Sequence, residues 1–175
     1  AVVARFSNAP SSNEIIFTRG TTESINLVAS SMSAQIGAGD EILITHLEHH
    51  ANIVPWQLLC QRVGATLRVL PIDERGDLCL ERLDDHVTHK TKLFAFSAIS
   101  NALGTVNDVQ ALCDYARSKG VMTLIDGAQA IAHTPVDVQA LGCDFYVFAG
   151  HKLYGPTGIG ILYGREALHN ALPPY

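Results

Sequence analysis

Residues 144–164 read DFYVFAGHKLYGPTGIGILYG: two apolar runs, FYVF and IGILY, joined by a glycine-rich loop of about ten residues with no helical pattern. Two parallel strands need a crossover of a dozen or more residues, usually a helix. This loop is too short for that, so the last strand is expected to run antiparallel to the one before it.

Upstream, short β-branched and apolar runs alternate with helical stretches, the pattern of an α/β fold. The predicted strands are Glu14–Thr18, Glu41–Thr45, Thr66–Leu70, Lys92–Ser97, Val121–Ile125, Asp144–Phe148 and Gly158–Tyr163. Several are apolar almost throughout (LFAF, VMTLI, FYVF, IGILY), as strands covered on both faces are. Helices are predicted over Thr22–Gln35, Ala51–Val63, Leu80–His86, Val109–Lys119 and Val136–Leu141, with Gly64 and Gly120 placed as terminators. The first residues read as the tail of a helix, and Pro173-Pro174-Tyr175 follows another helical start, so both ends are expected to be cuts in a longer chain.

Bulk properties narrow the function classes. The 175 residues are enough for one domain with a sizeable core, and 47% hydrophobic against 17% charged residues is ordinary globular composition. A net charge of −5 gives no reason to expect a nucleic acid or anionic membrane as partner. No apolar run reaches the ~20 residues of a membrane span, and no basic segment followed by an apolar stretch marks a signal peptide. Cys60, Cys79, Cys113 and Cys143 are scattered without a CxxC pair, which fits a reducing cytoplasm better than a disulfide framework or zinc ribbon.

In open parallel sheets ligands bind beyond the carboxyl ends of the strands. Polar groups follow the predicted strands at those ends: Arg19-Gly20-Thr21-Thr22, Glu48-His49-His50, Ser100-Asn101, Asp126-Gly127-Ala128-Gln129 and Gly150-His151-Lys152. They are expected to converge on one cleft. Gly20-Thr21-Thr22-Glu23 offers an anion the free N–H groups of a helix start and two hydroxyls; an N-cap with Glu23 in its first turn reads equally well. Asp126 ends an apolar strand, where a carboxylate needs a cation or strong donor, such as a protonated pyridine nitrogen; capping of the next turn is the plainer alternative. His49 could stack on a flat heterocycle. His46-x-x-His49-His50 lacks a helical i, i+4 pair and a nearby thiolate, so no metal is expected. Lys152 follows the apolar FYVFAG, which is expected to desolvate its ammonium and suit it to imine chemistry. GPTGIG lies between two strands, not before a helix, and no GxGxxG follows the first strand, which disfavours a dinucleotide-binding module.

RGTTESIN, EHHANIVPW, SNALGT, DGAQ and DFYVFAGHKLYGPTGIGILYG, in this order across nearly the whole chain, resemble the successive motifs of class V aminotransferase-fold enzymes. The resemblance is strongest to the cysteine desulfurase/selenocysteine lyase branch. It implies a PLP-dependent transferase fold (fold type I), with residues 1–175 forming the large pyridoxal 5′-phosphate (PLP) binding domain on a seven-stranded sheet with one antiparallel strand. It also implies that Lys152 carries PLP as a Schiff base and moves the proton on the substrate's α-carbon. Asp126 pairs with the pyridine nitrogen, Gln129 bonds the ring hydroxyl oxygen, His49 stacks on the ring, and Thr21, Thr22 and His151 hold the phosphate. Asn101 lies near the ring and the substrate carboxylate. The implied reaction removes sulfur from L-cysteine, giving L-alanine and a protein-bound persulfide for iron–sulfur cluster assembly. A homodimer and a sulfur-acceptor protein are the implied partners. Selenocysteine lyase on L-selenocysteine, another class V activity such as transamination, and a catalytically silent PLP-binding domain are the alternatives.

Two departures bear on this. The family often has Ser before Gly-His-Lys, where this chain has Ala149. The family's nucleophilic cysteine and carboxylate-binding arginine belong to a C-terminal part outside these residues, and none of the four cysteines is expected at the cleft.

Overall fold

The computed structural model describes residues 1–173; Pro174 and Tyr175, part of the reading of a cut C-terminus, lie outside the described residues. Seven strands form one sheet: β1 (Ile15–Thr18), β2 (Glu41–Thr45), β3 (Thr66–Leu70), β4 (Thr91–Ser97), β5 (Met122–Asp126), β6 (Phe145–Ala149) and β7 (Gly160–Gly164). Their order across the sheet is β1-β7-β6-β5-β4-β2-β3. β7 runs antiparallel to both β1 and β6, and the other neighbours pair in parallel. The short final connection therefore does what its length requires. Every predicted strand is found, with ends displaced by at most two residues.

The helices are α1 (Val2–Phe6), α2 (Thr21–Met32), α3 (Val54–Val63), α4 (Leu83–His86), α5 (Val109–Ser118), α6 (Val138–Leu141) and α7 (Glu166–Ala171). The helix predicted over Ala51–Val63 divides into a 3-10 turn, His50–Asn52, and α3. Pro55, which has no N–H to give, stands in the first turn of α3, where that loss is harmless. A second 3-10 turn, Leu80–Arg82, opens α4. α2 ends three residues short of Gln35, and α6 starts at Val138 because the Asp137 carboxylate caps it, accepting from the Ala140 amide. Gly64 ends α3 in the left-handed region at φ 77°, returning its N–H to the Cys60 carbonyl.

Period-2 alternation divides the core between the two faces of the sheet. In β4, Leu93 and Ala95 join the side packed by α2 and α3, with Ile25, Met32, Trp56 and Leu59. Phe94 and Phe96 join the other side, with Leu112, Cys113 and Ala116 of α5. β2, β6 and β7 are buried along their whole length, whereas the edge strands β1 and β3 are partly open, which is why the central runs are the more apolar.

Two features of this topology position the site. Strand order reverses between β2 and β4, since β3 lies on one side of that pair and β5 and β6 on the other; the crevice beyond such a reversal is where ligands bind. In β7, a Cβ on Gly160 would stand 2.4 Å from Thr18 Oγ1 and 2.5 Å from the Gly20 backbone. Only glycine allows β7 this close to the start of α2.

Candidate active site

One cleft of about 380 Å³ opens beyond the carboxyl ends of the parallel strands. Thr21, Thr22, His49, Asn101, Asp126, Gln129, His151 and Lys152, drawn from five separate stretches of the chain, all line it. Gly20, Ala51, Ser97, Ala128 and Ala149 complete the wall. Other residues of the same stretches do not face it. Arg19 lies outside and pairs with Glu23 at 2.5 Å. The Ser100 hydroxyl accepts from the Ala102 and Leu103 amides, closing its own turn. Ser97 was not picked out from the sequence, although its place as the last residue of β4, level with Asp126, marks it.

The start of α2 bears on both readings of Gly20-Thr21-Thr22-Glu23. Glu23 accepts from the Arg19 amide at 2.6 Å and from its guanidinium; these bonds hold its carboxyl below the ordinary range. No side chain caps the Gly20 position. The Thr21 hydroxyl is buried and has no hydrogen-bond partner. A buried unpaired hydroxyl in a cleft wall, at the positive end of a twelve-residue helix, has the chemistry to accept an anion.

Asp126 closes β5 and is buried. Its Oδ1 accepts from the Ala128 amide at 2.9 Å, so the capping reading is realised in part. Burial pushes the carboxyl above its ordinary range, opposed by that amide and by the nearby His49 and Lys152. No cation is bonded to it among the described residues. A protonated ring nitrogen would supply the missing partner.

His49 Nδ1 accepts from the Ala51 amide at 3.1 Å. An amide can only donate, so the ring's proton is on Nε2. Glu48 turns the other way and is buried. Its carboxylate accepts from Thr45 Oγ1 (2.5 Å), Asn52 Nδ2 (2.5 Å), Ser97 N (3.0 Å) and Ser97 Oγ (2.7 Å). Loss of water outweighs these four donors and raises its pKa from 4.5 to about 7. Across that window the folded state holds the proton more tightly than the unfolded chain, so the Glu48 contribution to stability falls as pH rises and levels off above about 7. Urea unfolding at pH 5 and pH 7.5 is expected to show a loss of about 2 kcal/mol with rising pH, strongly reduced in Glu48→Gln.

Lys152 lies on a 3-10 turn, Gly150–Leu153, that the sequence did not announce. The turn carries it past the end of the apolar strand, so the side chain is exposed; the desolvation expected from FYVFAG is not supplied by the described residues. It is nevertheless the one lysine at the cleft. Lys92 pairs with Asp40 and Lys119 with Asp84, both elsewhere.

None of the four cysteines lines the cleft. All four are free; Cys60, Cys113 and Cys143 are buried and Cys79 is half-buried. Burial raises each thiol, that of Cys113 to about 11, so none is a ready thiolate. Among the described residues no group of three or more His, Cys, Asp or Glu side chains is arranged to hold a metal ion, and no helix is long and apolar enough to cross a membrane.

The PLP expected from the sequence can be tested against these atoms. Its phosphate fits the unpaired Thr21 hydroxyl and the α2 start, its ring nitrogen fits Asp126, and its aldehyde fits the single cleft lysine. The donor set and the group agree.

Aminotransferase class-V is the family model that matches, and it does so over residues 1–175. The chain belongs to the class-V aminotransferase family. Among its class-V relatives, a cysteine desulfurase of Klebsiella pneumoniae (strain 342) is 58% identical over 173 residues, covering 98% of this chain and 43% of that protein. A cysteine desulfurase of Enterobacter sp. (strain 638) is also 58% identical, covering 99% of this chain and 43% of the relative. The chain thus spans less than half the length of the curated relatives it matches. The crystal structure of the cysteine desulfurase CsdA from Escherichia coli superimposes with a TM-score of 0.95 at 43% identity, covering 99% of this chain and 44% of that one. A structure of C-DES with glycine covalently linked to its PLP cofactor gives 0.88 at 29% identity, covering 99% and 46%. The fold expected from the sequence, a seven-stranded mainly parallel sheet with one antiparallel strand and helices on both faces, is the fold found.

Proposed function

We propose that this chain is the PLP-holding part of a cysteine desulfurase, and that residues 1–175 constitute the large domain of that enzyme. The observation that carries this reading is the convergence of the lone cleft lysine, a buried cation-seeking aspartate and an unpaired hydroxyl at a helix start on one cavity. Thr21, Thr22 and His151 hold the phosphate. Asp126 keeps the ring nitrogen protonated, Gln129 bonds the ring oxygen and His49 covers the ring face. Asn101 stands by the ring and the substrate carboxylate. When bound, PLP supplies an electron sink for the charge left on the substrate's α-carbon. Lys152 would hold the cofactor through its aldehyde and would carry the proton of the substrate's α-carbon.

The substrate is L-cysteine, as the names of the relatives at 58% identity suggest. The products are L-alanine and a protein-bound persulfide handed to an acceptor protein. With no thiol at the cleft, these residues alone are expected to exchange the α-proton of L-cysteine in heavy water, seen by NMR, while releasing little sulfide. Exchange that is absent with PLP added overturns the assignment. L-Selenocysteine is the alternative substrate. A homodimer acting in the cytoplasm completes the reading.

Ala149 gives a further expectation. It is buried in the cleft wall, next to the turn that carries His151. A serine hydroxyl there would add a bond to a charged phosphate, worth about 1.5–3 kcal/mol, so Ala149→Ser is expected to tighten PLP binding about ten-fold or more, as measured by equilibrium titration.

A further inference from the structure

Glu48 lies directly before His49 and joins three elements behind the cleft: the end of β2 through Thr45, the 3-10 turn through Asn52, and the end of β4 through Ser97. It therefore bridges β2 and β4 where strand order reverses. We infer that Glu48 and Asn52 are positioning residues, a clamp that fixes the His49 imidazole in one orientation and one tautomer beside the cofactor. The part that concerns the cofactor rests on the PLP reading above.

The polarity of the network leaves little freedom. Trp56 Nε1 can only donate, and it donates to Asn52 Oδ1 at 2.8 Å. The Asn52 amide group must therefore present Nδ2 to Glu48, which accepts it at 2.5 Å. With its side chain held at both ends, Asn52 closes the turn around His49: its backbone N–H donates to the His49 carbonyl at 2.7 Å. That turn sets the Ala51 amide against His49 Nδ1, which puts the ring proton on Nε2. On the far side, Ser97 N and Oγ bind the same carboxylate, and Ser97 lies level with Asp126 in the sheet. One buried carboxylate thus ties the loop carrying His49 to the strand end beside Asp126.

A glutamine at position 48 has the right shape and the wrong polarity. Its oxygen can serve Thr45 Oγ1 and Ser97 N, but its NH₂ then faces Asn52 Nδ2, donor against donor. Asn52 cannot turn over without opposing Trp56 in the same way. Adding Asn52→Asp repairs this, because the new carboxylate accepts from both Trp56 Nε1 and the introduced amide. The test uses the full chain with ¹⁵N-labelled histidine. The first readout is the His49 ring nitrogens of the cofactor-free protein by NMR, and the second is the PLP dissociation constant. Wild type is expected to show the Nε2–H tautomer. Glu48→Gln is expected to show averaged ring signals and PLP binding weakened about ten-fold; the double variant is expected to return both toward wild type. His49 signals and PLP affinity unchanged in Glu48→Gln overturn the inference. So does a loss that the double variant fails to restore, since lost packing alone behaves that way. If Glu48→Gln does not fold, Thr45→Val removes one donor from the carboxylate; averaged ring signals and about two- to three-fold weaker PLP binding are then expected, and no movement overturns the inference. A wild-type protein that does not bind PLP counts against the cofactor reading, while the His49 signals still decide the clamp.

Discussion

Lys152→Ala is expected to abolish the visible absorption of lysine-bound PLP completely while leaving the protein folded and still able to bind PLP without a covalent bond. The reason is the distribution of the binding groups. The phosphate and ring-nitrogen partners, Thr21, Thr22, His151 and Asp126, lie on the α2 start, the Gly150–Leu153 turn and β5, and none of them depends on the lysine amine. The side chain is exposed, so its removal leaves no cavity and costs little stability. Visible spectroscopy reads the covalent bond, and dialysis against radiolabelled or fluorescent PLP reads the residual binding. The α-proton exchange of L-cysteine should fall to background, since no second amine lines the cleft.

Asp126→Asn is expected to move function and stability in opposite directions. Without the cofactor, the buried carboxylate has one amide donor and no bonded cation, and burial works against its charge. Asparagine keeps the bond to the Ala128 amide through its oxygen and removes the charge, so the cofactor-free protein is expected to gain about 1–3 kcal/mol in urea unfolding. With PLP the balance reverses. A neutral amide does not hold a proton on the ring nitrogen, and the exchange rate is expected to fall about 100-fold or more, the size seen when a group aimed at developing charge is lost. A variant that loses both stability and activity would place Asp126 in the framework instead of the chemistry.

The sheet was legible in the sequence because its central strands are covered on both faces, which leaves continuous apolar runs such as FYVF and VMTLI with polar residues at their carboxyl ends. The antiparallel β7 followed from chain length alone. The cleft was legible for the same reason: in a parallel sheet the residues after each strand gather at one edge, so the sequence alone places five separated stretches together. Contacts between those stretches were harder. Glu48 stands in the same triplet as His49 and has the same outward signature, yet one is buried and the other lines the cleft; the difference is made by Ser97, 49 positions away. Gly20-Thr21-Thr22-Glu23 reads equally as a cap or an anion site in the sequence, and that the Thr21 hydroxyl has no partner appears only in the fold. The exposure of Lys152 depends on a 3-10 turn without any periodic pattern. The split of the helix before Val54 reflects Asn52 being drawn to Glu48, a tertiary bond that helix propensity does not contain.

The central claim is that this cleft holds PLP on Lys152, and borohydride reduction followed by peptide mass mapping tests it most directly. The protein has four lysines, Lys90, Lys92, Lys119 and Lys152. With PLP at a concentration close to that of the protein, the reduced phosphopyridoxyl group is expected on the peptide containing Lys152 and nowhere else. Label spread over Lys90, Lys92 and Lys119, or absent from Lys152, would contradict the account.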